Sequence, residues 1–448
     1  MKKISFVSLG CDKNTVDSEI MIALLTEHGF TLTAHDEEAD AIVINTCGFI
    51  SDAKEESINT IIEMGQYKET GACKALVVTG CLAQRYTEDI LRELPEVDAV
   101  VGTGSYERIV EAVEGALEKA ADKLVIKDPI EERPLGYQKR VISTPGYFEY
   151  LKISAGCDNR CTYCIIPMLR GPYRSRAKED ILREAQDLAD EGVKELMLVA
   201  QDITKYGRDI YEGYGLPKLL KDLVKIEGIE WIRLLYCYPE DVTDELIKVM
   251  KEEKKILHYI DIPIQHCSDT VLKRMLRKHD QAMLRELLAK LRREIPDICI
   301  RTTLITGFPG ETEEEFQEML HFVEESRFDR LGVFTYSKEE GTPAARMKGQ
   351  VSEKVKKLRK DLLMEAQARV SAEISGEMVG REVDALIEGR IPDAEEDELI
   401  YSARTYRDAP DIDGFLFVSA DRELSSGDIV RVKVTGSYEY DLIGEILE

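Results

Sequence analysis

The stretch SAGCDNRCTYCIIP, residues 154–167, decides the fold because it places Cys157, Cys161 and Cys164 in a CxxxCxxC pattern. Three thiolates on one tight loop can hold three irons of a cubic 4Fe-4S cluster, for which soft sulfur ligands are suited. The fourth iron is then left without a protein ligand. A structural zinc site is the alternative, but zinc loops favour CxxC pairs and four ligands, and no fourth Cys or His follows nearby. The pattern therefore favours an iron–sulfur cluster with one open iron.

This spacing resembles the cluster motif of the radical S-adenosylmethionine superfamily. In that superfamily the open iron chelates the amino and carboxylate groups of S-adenosylmethionine. An electron passed to the sulfonium then cleaves the cofactor to a 5'-deoxyadenosyl radical. The resemblance implies that Cys157, Cys161 and Cys164 are both metal ligands and catalytic residues, and that S-adenosylmethionine is a cofactor.

Six candidate strands alternate with helical segments from about residue 147 onward. They read FEYLKISAG, ELMLVAQD, WIRLLYCYP, YIDIPIQH, CIRTTLITGFPG and RLGVFTYS. Six βα units predict a partial (βα)6 barrel over residues 147–350. The cysteine loop directly follows the first of these strands, at the strand end where parallel barrels gather their chemistry.

Residues 1–120 repeat another unit, an apolar strand followed by a small-residue turn and an amphipathic helix. The runs ISFVSLG, AIVINT and ALVVTG are each followed by a cysteine, namely Cys11, Cys47 and Cys81. This alternation predicts an α/β domain with a parallel sheet, whose strand C-termini share one edge. We therefore expect these three thiols to converge as ligands of a second cluster. Cys73 precedes its strand and is excluded.

The remaining segments complete an α/β protein of several domains. Residues 121–146 mix charges with Pro and Gly, which predicts a linker or wrapping segment. A connecting helix is predicted over 351–375. Short strands punctuated by Gly, Asp and Pro fill residues 376–448 and predict a small antiparallel β-barrel.

The composition limits the cellular compartments and the binding partners that we expect. The 448 residues carry 60 Lys plus Arg against 86 Asp plus Glu, a net charge of −26 that opposes polyphosphate partners. The N-terminal apolar run is too short for a signal peptide, and no apolar stretch could span a membrane. We expect a cytoplasmic protein, in which the ten cysteines stay reduced and clustered ones serve metal or redox chemistry.

The loop LITGFPGET, residues 304–312, ends a strand and begins a helix, so its glycines allow the backbone to approach a ligand. Beside the cysteine motif it resembles the superfamily segment that lines the adenosine of S-adenosylmethionine, which implicates Gly307, Pro309 and Gly310. Gln201 and Gln265, at strand ends facing the same mouth, are further candidates for binding this cofactor. Their alternative role is structural, as polar groups bonded to loop backbone.

Other polar and sulfur-bearing residues near strand ends have simpler interpretations. Arginines just after the cysteine loop could bind a substrate carboxylate or stabilise a reduced cluster, or could simply be solvated; they are Arg170, Arg174 and Arg176. Isolated free cysteines are usually buried packing residues; here they are Cys237, Cys267 and Cys299. His266 beside Cys267 lacks the further partners that a metal site needs.

Over essentially its full length the chain resembles the methylthiotransferases. The resemblance implies two 4Fe-4S clusters, a C-terminal TRAM-like substrate-recognition domain and an electron donor such as flavodoxin or ferredoxin. Cys11, Cys47 and Cys81 would hold an auxiliary cluster implicated in sulfur supply. The segments SLGCDKNTVDSE (8–19) and CDNRCTYCIIPMLRGPYRSR (157–176) are most similar to the branch that modifies an aspartate of ribosomal protein twelve of the small subunit. The tRNA-modifying branch typically reads Tyr-Gly-Cys-Gln-Met-Asn where this chain has residues 9–14.

Charge agrees with the protein-modifying branch. Residues 376–448 contain 19 acidic and 7 basic residues, a net charge of −12 that includes the run Glu395, Glu396, Asp397 and Glu398. An acidic recognition domain would attract a basic ribosomal protein and would not favour tRNA. The expected reaction replaces a β C–H of the substrate aspartate by a methylthio group, which requires a radical. The alternatives are a tRNA adenosine methylthiotransferase, a non-catalytic iron–sulfur electron-transfer protein and, for the charge itself, a merely soluble surface.

Overall fold

The computed structural model describes residues 2–118, 123–130, 136–392 and 399–447. Two parallel sheets and a closed β-barrel follow one another along the chain. Within these ranges, no helix combines the length and apolarity that crossing a membrane requires. The predicted α/β class with a C-terminal barrel is confirmed, whereas the acidic run 395–398 lies outside the described residues.

The N-terminal region forms a six-stranded parallel sheet in the order β2-β1-β3-β4-β5-β6. The strands are β1 (Lys3–Ser8), β2 (Thr31–Leu32), β3 (Ala41–Thr46), β4 (Ala75–Gly80), β5 (Ala99–Val101) and β6 (Leu124–Ile126). The helices are α1 (Asp12–Glu27), α2 (Ser51–Gly65), α3 (Tyr67–Thr70), α4 (Cys81–Arg85), α5 (Thr87–Glu93) and α6 (Ile109–Leu117). Both faces of the sheet are covered, and for this reason β3 and β4 are buried throughout and apolar over their first four residues.

The sheet extends further than the sequence pattern indicates. The strand β6 pairs in parallel with β5 and lies within residues 121–146, which the sequence analysis assigned to a linker. Three residues, LVI, are too few to show a strand period, and charged residues flank them. Part of the predicted linker is therefore the edge of the first sheet.

The central region forms an open six-stranded parallel sheet in the order β14-β13-β12-β11-β10-β7. Its strands are β7 (Phe148–Lys152), β10 (Glu195–Val199), β11 (Trp231–Leu234), β12 (Ile256–Asp261), β13 (Cys299–Thr306) and β14 (Arg330–Thr335). A two-stranded ribbon, β8 (Ser154–Ala155) with β9 (Arg174–Ser175), brackets the cysteine loop. The helices are α7 (Ile166–Arg170), α8 (Lys178–Asp190), α9 (Leu216–Leu223), α10 (Asp244–Glu252), α11 (Asp269–Arg274), α12 (Gln281–Glu294) and α13 (Glu313–Ser326). All six predicted strands are present.

The two faces of this central sheet differ in character. One face packs against the surrounding helices in the largest apolar core of the protein. On β13 the other face is half-exposed at alternate residues, at Arg301, Thr303 and Ile305. This alternation leaves the inner face of the partial barrel accessible towards the C-terminal strand ends.

A long helix, α14 (Glu353–Gly376), packs on β14 and α13 and leads into the C-terminal barrel. The barrel strands are β15 (Glu382–Arg390), β16 (Leu399–Thr405), β17 (Leu416–Ala420), β18 (Ile429–Ser437) and β19 (Leu442–Ile446). They close in the order β15-β16-β17-β19-β18, antiparallel except for the parallel pair β17–β19. The predicted small barrel is confirmed, with that one parallel pair as the departure.

The C-terminal barrel docks where the central strands begin. Arg404 of β16 binds Glu195, the first residue of β10, at 2.8 Å. Arg407 binds Asp329 at 2.6 Å, next to the start of β14. Because these contacts lie at the N-terminal strand ends, the barrel occupies the end of the sheet opposite the cysteine loop.

Candidate functional site

The N-terminal cysteines follow adjacent parallel strands. The register pairs Ser8 of β1 with Asn45 of β3, and Thr46 of β3 with Gly80 of β4. Cys47 and Cys81 come directly after β3 and β4, and Cys11 is the N-cap of α1 three residues after β1. The register therefore brings the strand ends that precede these cysteines to one edge of the sheet.

Glycines let these three cysteine loops approach one another. A Cβ on Gly10 would lie 3.0 Å from the Cβ of Cys47 and 3.4 Å from its Sγ. A Cβ on Gly48 would lie 2.8 to 3.0 Å from the backbone of Cys81 and Leu82. Close backbone approach of this kind requires residues without side chains.

The second cysteine triad lies on the loop between β8 and α7. Cys157 and Cys161 are buried and Cys164 is partly exposed. Hydrogen bonds tie this loop to the rest of the central domain, since Cys157 donates its N–H to the Gly171 carbonyl at 3.1 Å. Thr162 donates its N–H to Met275 at 3.1 Å. These two hydrogen bonds hold the cysteine loop against the rest of the central domain.

Burial keeps several of these thiols protonated when no metal is present. It raises the pKa of Cys157 to about 11 and that of Cys164 to about 12, and neighbouring cysteines contribute to both shifts. In the N-terminal triad, burial raises the pKa of Cys47 to about 11 and also raises that of Cys81. Metal binding would displace these protons, because the thiolate is the ligand form.

The two triads are close neighbours across the domain boundary. Cys81 packs with Ile165 and Leu169, which follow Cys164 on the cysteine loop and α7. The Thr103 hydroxyl donates to the Leu169 carbonyl at 2.6 Å and strengthens this contact. The structure therefore brings both predicted sites to one shared region.

Arg170 belongs to the central domain but lies at the N-terminal triad. Its guanidinium bonds Asp17 of α1 at 2.5 Å and also the side-chain oxygen of Asn14. Although burial opposes its charge, Cys81, Asp17 and Cys11 raise the pKa of Arg170 far above its usual value. Arg170 thus places a buried positive charge beside the N-terminal cysteines.

The other two arginines have structural partners. Arg176 donates to the Lys152 carbonyl at 2.7 Å and pairs with Glu184 at 2.5 Å. Arg174 donates to the Arg170 carbonyl at 3.2 Å. Neither contact points to a substrate.

Two residues near the central triad were missed by sequence reasoning. The Arg277 guanidinium lies 3.9 Å from the Cys161 Sγ, and the Tyr238 hydroxyl lies 4.0 Å from the same sulfur. Arg277 also stacks over the Tyr238 ring. Arg277 is one of four cations in VLKRMLRKHD, so nothing in the sequence distinguished it.

The loop LITGFPGET meets the cysteine loop through aromatic contacts. Phe308 packs edge-to-face against Tyr163, with ring centroids 6.5 Å apart, and Tyr163 lies between Cys161 and Cys164. Gly307 donates its N–H to the buried Glu311 carboxylate at 3.0 Å, and a Cβ there would collide with Lys356 of α14. Its positive φ of 70° and this lack of space both favour glycine at position 307.

The remaining cofactor candidates lie at the same strand ends. Gly310 accepts a hydrogen bond from Arg274 at 3.2 Å, and Pro309 beside it is buried. The backbone of Gln265 bridges to β13, where its N–H bonds the Thr303 carbonyl at 2.8 Å. Gln201 has a buried side-chain oxygen without a hydrogen-bond partner. Their contact with S-adenosylmethionine stays a prediction.

The cysteines excluded from the site lie in apolar cores. Cys73 precedes β4, and Cys237, Cys267 and Cys299 are each fully buried. His266 accepts a hydrogen bond from the Ser268 N–H at 3.0 Å. These residues pack as the sequence analysis expected.

The residues present fit iron–sulfur clusters. Within the described ranges no three His, Cys, Asp or Glu side chains converge as the ligands of one ion would. The fit rests instead on two sets of three soft thiols, each on loops that other contacts hold in place. Each set also has a buried arginine beside it, Arg277 or Arg170, which suits anionic sulfur ligands.

Known proteins resemble this chain over almost its whole length. Residues 3–102 match the uncharacterized protein family UPF0004, residues 151–323 the radical SAM superfamily, and residues 379–447 the TRAM domain. The ribosomal protein uS12 methylthiotransferase RimO of Lachnoclostridium phytofermentans is 55% identical over 99% of both chains. RimO of Geobacter sulfurreducens is 51% identical over 100% of this chain and 99% of its own. The chain belongs to the RimO family. As a RimO-family protein it is a radical S-adenosylmethionine methylthiotransferase, a class that uses S-adenosylmethionine and a 4Fe-4S cluster.

Solved structures share the RimO-family fold at low sequence identity. The radical S-adenosylmethionine methyltransferase TsrM from Kitasatospora setae, solved with cobalamin and a 4Fe-4S cluster bound, superposes with a TM-score of 0.56. It is 13% identical, and the match covers 85% of this chain and 79% of that one. At this identity the likeness shows the fold alone.

Proposed function

We propose that this protein adds a methylthio group to the β-carbon of an aspartate in ribosomal protein uS12. The observation that carries the proposal is the identity of 51 to 55% over essentially the whole chain to two proteins named for that activity. Fold alone would not distinguish this reaction, because the same fold supports several chemistries. An acidic C-terminal barrel supports a basic protein substrate and argues against direct tRNA binding.

Two 4Fe-4S clusters belong to this proposal. Cys157, Cys161 and Cys164 would hold the radical-generating cluster, and Cys11, Cys47 and Cys81 the auxiliary one. When bound, these clusters and S-adenosylmethionine supply the electron, the radical, the sulfur and the methyl group. The packing of Cys81 on Ile165 and Leu169 supports a shared reaction chamber.

The chain's own residues position and shield this chamber. Arg277 and Tyr238 place a cation and a hydroxyl beside Cys161, while Arg170 places a cation beside the auxiliary triad. Burial of Cys157 and Cys161 limits water at the radical site. Limited water protects a reactive radical from side reactions.

Finer assignments follow from the same proposal. We assign S-adenosylmethionine contacts to Gln201, Gln265, Gly307, Pro309 and Gly310, among which the unpartnered Gln201 oxygen is the best supported by the structure. The electron donor is a carrier such as flavodoxin or ferredoxin, and the protein acts in the cytoplasm. The domain division is 1–120, a linker at 121–146, 147–350, a helix at 351–375, and 376–448, with β6 of the first sheet inside the linker range.

The test is anaerobic methylthiolation with the reconstituted enzyme. Purified uS12 and a tRNA anticodon stem-loop are offered separately, together with S-adenosylmethionine, dithionite and sulfide, and products are read by mass spectrometry. We expect methylthio-aspartate in uS12 and unmodified RNA. Modified RNA with unmodified uS12 would replace this proposal by the tRNA-modifying alternative, and S-adenosylmethionine left intact would favour the non-catalytic one.

A further inference from the structure

Asp12 and Lys13 of the N-terminal domain lie against the C-terminal end of a strand in the central sheet. They follow Cys11 at the start of α1 and contact Tyr236, which lies just beyond β11. The Lys13 Nζ is 3.0 Å from the centroid of the Tyr236 ring. The Tyr236 hydroxyl donates to the Asp12 Oδ1 at 3.3 Å. A buried cation thus lies beside an auxiliary cysteine and within the chamber.

This cation has unused hydrogen-bonding capacity. The side chains of Asp12 and Lys13 are each 7% exposed, and the Lys13 Nζ lies 2.9 Å from the Asp12 Oδ1. Among the described residues, Asp12 is the acceptor that Nζ reaches, although an ammonium has three N–H donors. The Asp12 Oδ2 is buried and has no hydrogen-bond donor. A buried polar atom needs a partner, and a substrate group or a water that binds here would supply one.

The backbone of Tyr236 is held in an unusual conformation at this point. Its φ is 62°, which is a genuine outlier for a bulky residue. The Asp261 carboxylate accepts the Tyr236 N–H at 3.0 Å, and the Tyr236 carbonyl accepts the Ile203 N–H at 3.2 Å. Strained residues held by their surroundings cluster at ligand sites. Here the strain places the aromatic ring against the Lys13 ammonium.

Tyr236 and Tyr238 lie near cysteines of the two different triads. Tyr236 is close enough to Cys11 for that thiol to contribute to its raised pKa, behind burial and Asp12. Tyr238, two residues on, lies at Cys161 of the other triad. A ligand held by Lys13 would therefore lie between the auxiliary and the radical cysteines.

We propose that Lys13 binds the side-chain carboxylate of the aspartate that is to be modified, and that the free Asp12 Oδ2 accepts an N–H of the same substrate segment. The proposal rests on the proposed function and deepens it. An aspartate carboxylate is bonded to its β-carbon, so fixing the carboxylate fixes the C–H bond that must be broken. A neutral nucleobase offers no carboxylate at this position, so the ammonium favours an aspartate side chain over a nucleobase as the group to be modified.

The test compares two substrates on two enzymes. Purified uS12 with its target aspartate, or with that residue replaced by asparagine, is titrated against wild-type holoenzyme and the Lys13→Met holoenzyme. Methionine has similar length without charge, and iron content checks that both enzymes keep their clusters. We expect wild type to bind the aspartate form at least tenfold more tightly than the asparagine form, and Lys13→Met to reduce that preference to less than threefold.

Each other outcome has a definite meaning. A Lys13→Met enzyme that keeps the wild-type preference overturns the inference, and so does a wild-type enzyme with no preference. If Lys13→Met loses iron, Lys13→Gln is measured in its place. The comparison of the aspartate and asparagine substrates on the wild-type enzyme does not depend on either variant. Failure of wild type to modify uS12 at all would overturn the proposed function, which is a separate result.

Discussion

The Arg170 guanidinium donates a hydrogen bond to the Asp17 carboxylate at 2.5 Å and thereby joins the end of α7 to α1 across the domain boundary. Lys152, the last residue of β7, binds the other oxygen of Asp17. Burial raises the pKa of Asp17, but Lys152 and Arg170 outweigh it and hold that pKa below its usual value. The carboxylate therefore stays charged and orients Arg170 towards the N-terminal cysteines.

Replacing Arg170 should change the electron affinity of the auxiliary cluster. We expect Arg170→Met to lower its reduction midpoint by roughly 100 mV, since a unit charge ~6 Å away at an effective dielectric constant of ~20 contributes about 3 kcal/mol. The measurement is an EPR-monitored redox titration in a background with Cys157, Cys161 and Cys164 replaced by Ala. Arg160→Met, which removes an exposed cation from the central cysteine loop, is the matched control and should leave the midpoint unchanged. Equal midpoints in both variants would show that Arg170 does not act on this cluster.

Iron content should separate the two triads. Reconstituted protein should hold about eight irons, in two cubic clusters of four. Replacing Cys157, Cys161 and Cys164 by Ala should leave about four, and so should replacing Cys11, Cys47 and Cys81. The control is Cys73→Ala, because Cys73 lies in an apolar core and should not alter the count. A full iron complement after loss of the N-terminal triad would contradict the auxiliary cluster.

The two triads should serve different steps, cleavage of S-adenosylmethionine and transfer of sulfur. Without Cys11, Cys47 and Cys81, dithionite-reduced protein should still cleave S-adenosylmethionine to 5'-deoxyadenosine, because the radical cysteines lie on another domain. No methylthio product should form. Chromatography of the nucleoside and mass spectrometry of uS12 give the two readings. Methylthiolation that persists in this variant would show that sulfur does not pass through the N-terminal site.

Sequence predicted most of the fold because long apolar strands and their order carry strong signals. The parallel pairing of β1, β3 and β4, which brings the strand ends before Cys11, Cys47 and Cys81 to one edge, follows from their apolar runs and is confirmed. The role of these cysteines as ligands of one cluster stays a prediction. The short β6 was missed because three residues carry no period. The reach of Arg170 into the other domain could not be derived, because its position depends on how the two domains pack. The same limit concealed the contact between Lys13 and Tyr236.

Glu149 should make stability depend on pH. It lies near Arg140, which also contacts Glu19 and Glu184, and burial raises the pKa of Glu149 to about 7. Between pH 4.5 and 7 the folded state therefore holds more protons than the unfolded state, so stability falls as pH rises. We expect the free energy of unfolding of Glu149→Gln, relative to that of wild type, to rise by up to about 3 kcal/mol as the pH is raised from 5 to 8. Urea unfolding of the cluster-free protein measures this difference.

A second buried glutamate provides the control for that experiment. Glu195 is also buried, which raises its pKa, but Arg233 and Arg404 lower it below its usual value overall. The stability that the ionised Glu195 contributes is fully present above the pKa that this carboxyl has in the unfolded chain. It is lost only as the pH falls through the lower pKa of the folded state. The difference between Glu195→Gln and wild type should therefore stay constant from pH 5 to pH 8. A constant difference for Glu149→Gln as well would contradict its raised pKa.

The acidic C-terminal domain should recruit the basic substrate by long-range attraction. We expect reversal of Glu395, Glu396, Asp397 and Glu398 to Lys to weaken uS12 binding several-fold at low salt, and less at high salt, because screening acts over about 10 Å at 0.1 M. S-adenosylmethionine cleavage should be unchanged, since the barrel docks at the strand ends opposite the cysteine loop. The matched control makes the same charge change on exposed acids of α13, namely Glu314, Glu318, Glu324 and Glu325. Equal weakening by both sets would mean that net charge alone matters, whereas selective weakening by the first set would assign the recruitment to residues 395–398.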